Sequence, residues 1–185
     1  MGIALVALIA APLVGNHGGW PRLPRPITAA AGLLIVASFS ILAFSWRGIP
    51  GGVTAALLGH AALIVSVVSL AELGRLARAV AADQLTGALV ALSIGTMLVI
   101  GIFAAGPLAG ALSARASAFA LTANPLVAVT SAAGIDLLHL DTIYRTSPLA
   151  HRGVALPAWT TACVAYAVVG LAAHGVSRFP WSRHS

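Results

Sequence analysis

Long apolar runs, separated by short segments rich in Gly, Pro and Arg, dominate the pattern of this chain. A helix that crosses a membrane needs about 20 predominantly apolar residues. The pattern predicts one membrane domain over residues 1–185, an all-α polytopic transmembrane helix bundle. Five spans are predicted, approximately at residues 2–15, 27–46, 53–73, 86–106 and 157–176.

Residues 107–156 match neither a uniform span nor a polar loop. Arg115 and the Asn124-Pro125 pair interrupt the first apolar piece, and a polar cluster ends the second. We expect an outer re-entrant hairpin or helices lying at the membrane interface. A pair of short spans is the alternative.

The N-terminal apolar run, Gly2 to Gly15, has two interpretations. It is as short as the core of a signal peptide, but no basic residue precedes it, and the Ala-Pro near its end suits cleavage poorly. We therefore expect it to be retained as a helix.

Composition supports lipid as the solvent. Of the 185 residues, 59% are hydrophobic and only 8% are charged, whereas soluble domains carry about 25% charged residues. The net charge of +6 comes from arginines that stand singly or in pairs between apolar runs. They form no basic stripe on one face, so we expect the arginines to flank membrane spans. The expected partner is membrane lipid and not nucleic acid.

The arginines also predict an orientation. Cytoplasmic loops carry an excess of basic residues. Six of the ten arginines lie on one predicted side of the membrane, and the other four are spread over a longer stretch on the opposite side. We expect an outside N-terminus and a cytoplasmic C-terminus in a bacterial inner membrane. The inner side then holds Arg22, Arg25, Arg75, Arg78, Arg178 and Arg183.

No enzyme active site and no cofactor are predicted. No Asp, Glu, Lys or Arg lies in the middle of a predicted span, which weighs against ion-coupled transport. The chain also lacks a phosphate-binding loop with Lys. His60 and His174 lie at different predicted depths, so a shared haem is disfavoured. We expect His60 to be hydrogen-bonded within the bundle, with a ligand role beside His139 or His151 as the alternative.

Two groups of polar residues are candidate sites. Asp136, His139, Asp141 and Arg145 form an outer-face cluster, which is more typical of helix caps and ion pairs than of a metal site. We also predict partner docking on the inner side, with a solvated helix end as the alternative for residues 71–84. The candidate docking residues are Arg22, Arg25, Glu72, Arg75 and Arg78.

The C-terminal half resembles the closing region of type-2 ATP-binding-cassette permeases. The resemblance is carried by the run NPLVAVTSAAGIDLLHLDTIYRTSPLAH from Asn124 and by LPAW before the last span, and it covers about residues 86–176. It implies an outward re-entrant segment between the last two spans and a separate ATPase docked on cytoplasmic loops. Residues 16–26 would then match a coupling loop. Family members usually have six spans and an inside N-terminus, whereas five spans with an outside N-terminus are predicted here.

Three functions follow as hypotheses. The first is a permease-like subunit of an ATP-driven transporter, paired with itself and with a cytoplasmic ATPase. The second is a non-catalytic accessory subunit among other membrane subunits of a respiratory or photosynthetic complex. The third is a haem-binding electron carrier, which the depths of the histidines disfavour.

Overall fold

A computed structural model describes residues 7–9, 11–12, 52–81, 83–101, 113–139, 144 and 158–178. All regular structure in these ranges is helical, with no strand, so the all-α prediction is confirmed there. The helices are α1 (Gly52–Val80), α2 (Gln84–Thr96, continued by a π-helical turn at Met97–Gly101), α3 (Ala114–Thr122), α4 (Pro125–Ala132) and α5 (Trp159–Ser177).

Two of the described helices are long and apolar enough to cross a membrane. These are α1, with a mean hydropathy of 2.1 over its most apolar part, and α5, with 1.4. They match the predicted spans at 53–73 and 157–176, although α1 continues to Val80. The prediction of five spans is not supported, since only these two described helices meet the length of a span.

The other predicted spans have different outcomes. The span predicted at 86–106 corresponds in its described part to α2 and its π-helical turn, with a short apolar helix at Leu85–Ile100. The span predicted at 27–46 lies outside the described residues. Of the span predicted at 2–15, residues 7–9 and 11–12 are described, and they are helical.

Side-chain caps start three of the helices. The carboxylate of Asp83 accepts from the backbone N–H of Thr86 at the start of α2, and the Ser113 hydroxyl accepts from the N–H of Ala116 at the start of α3. Thr86 also donates its hydroxyl to Asp83 at 2.6 Å, and these hydrogen bonds lower the pKa of the Asp83 carboxyl. Each cap satisfies a backbone donor that has no partner inside its own helix.

Asn124 begins α4 and joins it to the end of α2. Its side-chain oxygen accepts from the backbone N–H of Leu126 and of Val127, at 2.9 and 3.2 Å, and its amide donates to the Val99 carbonyl at 3.0 Å. Pro125 then occupies the first helical position, where a missing N–H does no harm. The helix break that the sequence predicts at Asn124-Pro125 is therefore stabilised by hydrogen bonds of the Asn124 side chain to residues on both sides of it.

The helices α3 and α4 have nine and eight residues. At 1.5 Å per residue each is about 12–14 Å long, less than half the hydrocarbon thickness. α4 is buried along nearly its whole length against α1 and α5. Short helices are therefore present in the region predicted to re-enter or to lie at the interface.

α1 is the central helix and packs against α2, α4 and α5. Small residues allow the close approaches. A Cβ atom at Gly59 would lie 2.9 Å from the Ala133 Cβ, and one at Gly74 would overlap the Pro12 carbonyl. Packing through small residues is typical of helices that associate in a bilayer.

Candidate functional site

Glu72, Arg75 and His174 meet where α1 and α5 pack together. The Arg75 Nη1 atom donates to Glu72 Oε2 at 2.7 Å, within α1. From α5, His174 Nδ1 lies 3.1 Å from the same carboxylate oxygen and 3.2 Å from Arg75 Nη1. We call these three residues the inner cluster. It joins two of the predicted docking residues to a histidine 102 positions from Glu72 along the chain.

The two contacts of His174 exclude each other for a given ring tautomer. With a proton on Nδ1, the imidazole donates to Glu72. Without it, Nδ1 accepts from Arg75. The carboxylate of Glu72 accepts from Arg75 in either case. The cluster therefore has two hydrogen-bonded arrangements that differ in the position of one proton.

Burial differs sharply among the three side chains. The Glu72 side chain is 8% exposed, whereas those of Arg75 and His174 are 27% and 30% exposed. Glu72 thus departs from the interpretation of a solvated helix end, because it faces the α1–α5 contact. A buried carboxylate is stable when a charged partner and hydrogen bonds compensate for lost hydration, which Arg75 and His174 supply here.

An apolar groove of about 460 Å³ runs between α1 and α5 and ends at the inner cluster. Ser69, Glu72 and His174 are its polar lining residues. The apolar lining consists of Ile64, Val65 and Val68 on α1 and of Ala167, Gly170 and Leu171 on α5. Its size is within the range of small-molecule and cofactor sites, roughly 300–1,000 Å³.

His60 lies elsewhere on α1, twelve positions before Glu72. Its Nδ1 atom contacts the Ala56 carbonyl, which only accepts, so the ring proton is on Nδ1. The prediction of a hydrogen bond within the bundle is confirmed for this nitrogen. The other nitrogen, Nε2, is buried without a hydrogen-bond partner.

The outer-face cluster is described only in part. His139 Nδ1 lies 2.7 Å from Asp136 Oδ2, and Asp136 Oδ1 accepts from the Leu138 N–H. The His139 ring stacks on Tyr144 with centroids 6.1 Å apart. These contacts form a local turn, and the ion pairs expected with Arg145 or Arg152 involve residues outside the described part of the chain. The described residues contain no group of three or more His, Cys, Asp or Glu side chains placed to hold a metal ion.

Several predicted site residues lie outside the described part of the chain. These are Arg22, Arg25, Asp141 and Arg145. Arg78 is described, is half-buried one helical turn after Arg75, and takes part in an interaction of its own.

Sequence reasoning missed the pairing of His174 with Glu72. The signal for the α1 half was present, since Glu and Arg three residues apart share a helix face. The signal for the α5 half was only a histidine within an apolar run. Its partner depends on the register between two helices that are distant in sequence.

No family model, no curated protein and no solved structure matches this chain.

Proposed function

We propose that this chain is a permease-like integral membrane subunit of an ATP-driven transporter that works with a separate ATPase. The observation that carries the proposal is the short pair α3–α4, which lies in the chain between α2 and the final long helix, with α4 buried against α1 and α5. Type-2 permeases, which the C-terminal half resembles, have a re-entrant segment between their last two spans.

Membrane placement is supported by the distribution of side chains on α5. Val164, Val168 and Leu171 are 64%, 60% and 72% exposed. The buried positions of the same helix are Ala162, Tyr166, Gly170 and Ala173. A soluble helix turns its largest apolar residues inward, whereas this helix, apart from Tyr166, turns small residues inward, as expected when lipid covers the outer face.

Helix directions support a re-entrant segment. α2 follows α1 after a short turn and packs back against it. α5 runs parallel to α1, because Gly170 lies against Ser69 and His174 against Glu72 and Arg75. If α2 crosses the membrane, the chain between α2 and α5 must begin and end on the same side. That topology, with an outside N-terminus in a bacterial inner membrane, is part of the proposal.

The ATPase is proposed to dock where α1 ends and on the first loop. Arg75 and Arg78 lie on the last turns of α1, and Arg22 and Arg25 lie in the loop that would correspond to a coupling loop. Glu72 is too buried to contact a partner directly. It acts instead by holding Arg75 in position.

A second candidate function rests on the exposed apolar face of α5. Helices of other membrane subunits cover such a face as well as lipid does. An accessory subunit of a respiratory or photosynthetic complex therefore remains the alternative proposal, and it requires no ATPase.

Purification from native membranes in mild detergent, followed by mass spectrometry, tests both proposals. An ATPase in fixed ratio is the result expected of a permease-like subunit. The variant R22E/R25E should lose this ATPase, whereas Arg47→Glu, on the opposite predicted side, should keep it. A redox or photosynthetic complex in fixed ratio without an ATPase would overturn the permease proposal and support the accessory one.

A further inference from the structure

The groove between α1 and α5 is apolar along its length and polar at one end. Ile64 and Glu72, at its two ends on α1, are eight residues apart, which corresponds to about 12 Å along the helix. Apart from Ser69, the polar lining residues belong to the inner cluster. This distribution fits an amphiphile, with its chain along the groove and its headgroup at the inner cluster.

The charge at this end selects the headgroup. Glu72 is the least exposed member of the inner cluster, and its Oε2 atom already accepts from Arg75. The exposed part is formed by the Arg75 guanidinium and the His174 ring. Arg178 is exposed one turn beyond His174 on the same face of α5. The groove is lined at this end by Glu72 and His174, and it therefore ends beside two arginines, Arg75 bonded to Glu72 and the exposed Arg178.

Arg75 retains donors for a ligand. A guanidinium group carries five N–H donors. Both contacts of Arg75 with described residues, to Glu72 and to His174, use the single atom Nη1. The rest of the group is held in place by the ion pair with Glu72, and its planar fork can donate to two oxygens of a phosphate or carboxylate.

We propose that an anionic membrane phospholipid occupies this groove. One acyl chain lies along the apolar lining between Val68 and Leu171, and the phosphate contacts the free edge of Arg75. Basic pockets between membrane helices commonly bind anionic headgroups. The site is independent of the ATPase in the proposed function, because it needs only the α1–α5 pair.

Native mass spectrometry of the full chain in detergent tests the proposal. The probes are phosphatidylglycerol and phosphatidylcholine with the same acyl chains. We expect one phosphatidylglycerol molecule per protein, bound about tenfold more tightly than phosphatidylcholine. Both lipids carry the phosphate, but the choline cation neutralises its headgroup and is repelled by Arg75. Equal binding of the two lipids would overturn the proposal. So would a dimer that carries no lipid, because a second copy would then cover the groove.

Two variants locate the site. Ala167→Phe fills the groove without touching the inner cluster, and it should weaken phosphatidylglycerol binding about tenfold. Ala165→Phe, at an exposed position of α5 outside the groove, should bind like the wild type. Equal binding by the two variants would place the lipid elsewhere and overturn the proposal.

A second pair of variants tests the contact between the headgroup and Arg75. Arg75→Gln should abolish the preference for phosphatidylglycerol, whereas Arg115→Gln, the same charge change at an exposed position of α3, should keep it. A preference that survives Arg75→Gln would contradict the assigned contact. The Ala167 pair remains informative if Arg75→Gln fails to fold.

Discussion

Gly170 of α5 packs directly on Ser69 of α1, so that a Cβ atom at position 170 would lie 2.9 Å from the Ser69 Cα. We expect Gly170→Ala to lower the free energy of unfolding by about 1–3 kcal/mol, because one of the two helices must move. Gly175→Ala on the same helix meets no atom within 4 Å. It should raise stability by about 0.5–1 kcal/mol through lower backbone entropy. Unfolding followed by circular dichroism in detergent distinguishes the two, and equal effects would contradict the α1–α5 register.

The contact between Glu72 and His174 should be energetically coupled. A double-mutant cycle with Glu72→Gln and His174→Gln is expected to give a coupling free energy of about 1–3 kcal/mol, because the carboxylate is buried and its hydrogen bonds are charge-assisted. The pair Asp136 and His139 has the same chemistry, but its side chains are 51% and 69% exposed. The same cycle there should give less than about 1 kcal/mol. Similar coupling in the two cycles would show that burial does not strengthen the inner contact.

Asn124→Ala should destabilise the junction between α2 and α4. The change removes the cap of α4 and leaves the buried Val99 carbonyl without its side-chain donor. The combined cost is about 2–4 kcal/mol. Ser113→Ala removes only the exposed cap of α3 and should cost about 0.5–1 kcal/mol. Thermal unfolding of both variants tests which one loses more stability, and a larger loss of stability in Ser113→Ala would contradict the prediction.

His60→Leu should stabilise the protein by about 1 kcal/mol. The substitution removes a buried nitrogen, Nε2, that has no partner. Its Nδ1–H bond to the Ala56 carbonyl is dispensable, because the helix uses that carbonyl as well. His139→Leu is the matched control at an exposed site and should lie within about 0.5 kcal/mol of the wild type. A clear loss of stability at His60 would mean that Nε2 binds a ligand or water in the native protein.

Asp83 should make the start of α2 sensitive to acid. Its pKa is lowered in the folded chain, first by the side-chain hydrogen bond from Thr86 and then by the backbone N–H of Thr86. Because the folded pKa lies below the ordinary pKa of an aspartic acid, the stabilisation is present above the unfolded pKa. It is lost as the pH falls through the folded pKa. Between pH 7 and pH 2, the midpoint of unfolding should fall less in Asp83→Asn than in the wild type. An unchanged pH dependence would exclude this cap as a contributor.

Part of the candidate site was accessible from the sequence. Glu72, Arg75 and Arg78 were predicted as a group at the end of α1, because charged residues three apart share one helix face. Their burial was not accessible. Amphipathic periodicity distinguishes the two sides of a helix, but it does not show which side meets another helix and which meets water.

The span count shows a similar limit. Apolar length predicts a helix, and α1 and α5 lie within a few residues of their predicted positions. The π-helical turn that continues α2 was not predicted, and the Asn124 amide donates to the Val99 carbonyl within that turn. Such a contact links residues 25 positions apart. Local propensity carries no information about it.

The sequence by itself determined the all-helical class and the approximate positions of α1 and α5, since the length of an apolar run is a local property of composition. It also determined the break at Asn124, because a short polar side chain followed by proline acts on its own backbone. Only the tertiary structure decided which residues form the site. The register of α5 against α1, set by Gly170 on Ser69, brings His174 to Glu72 and opens the groove above them. That register results from side-chain packing between helices about 100 residues apart, so it is a property of the folded bundle.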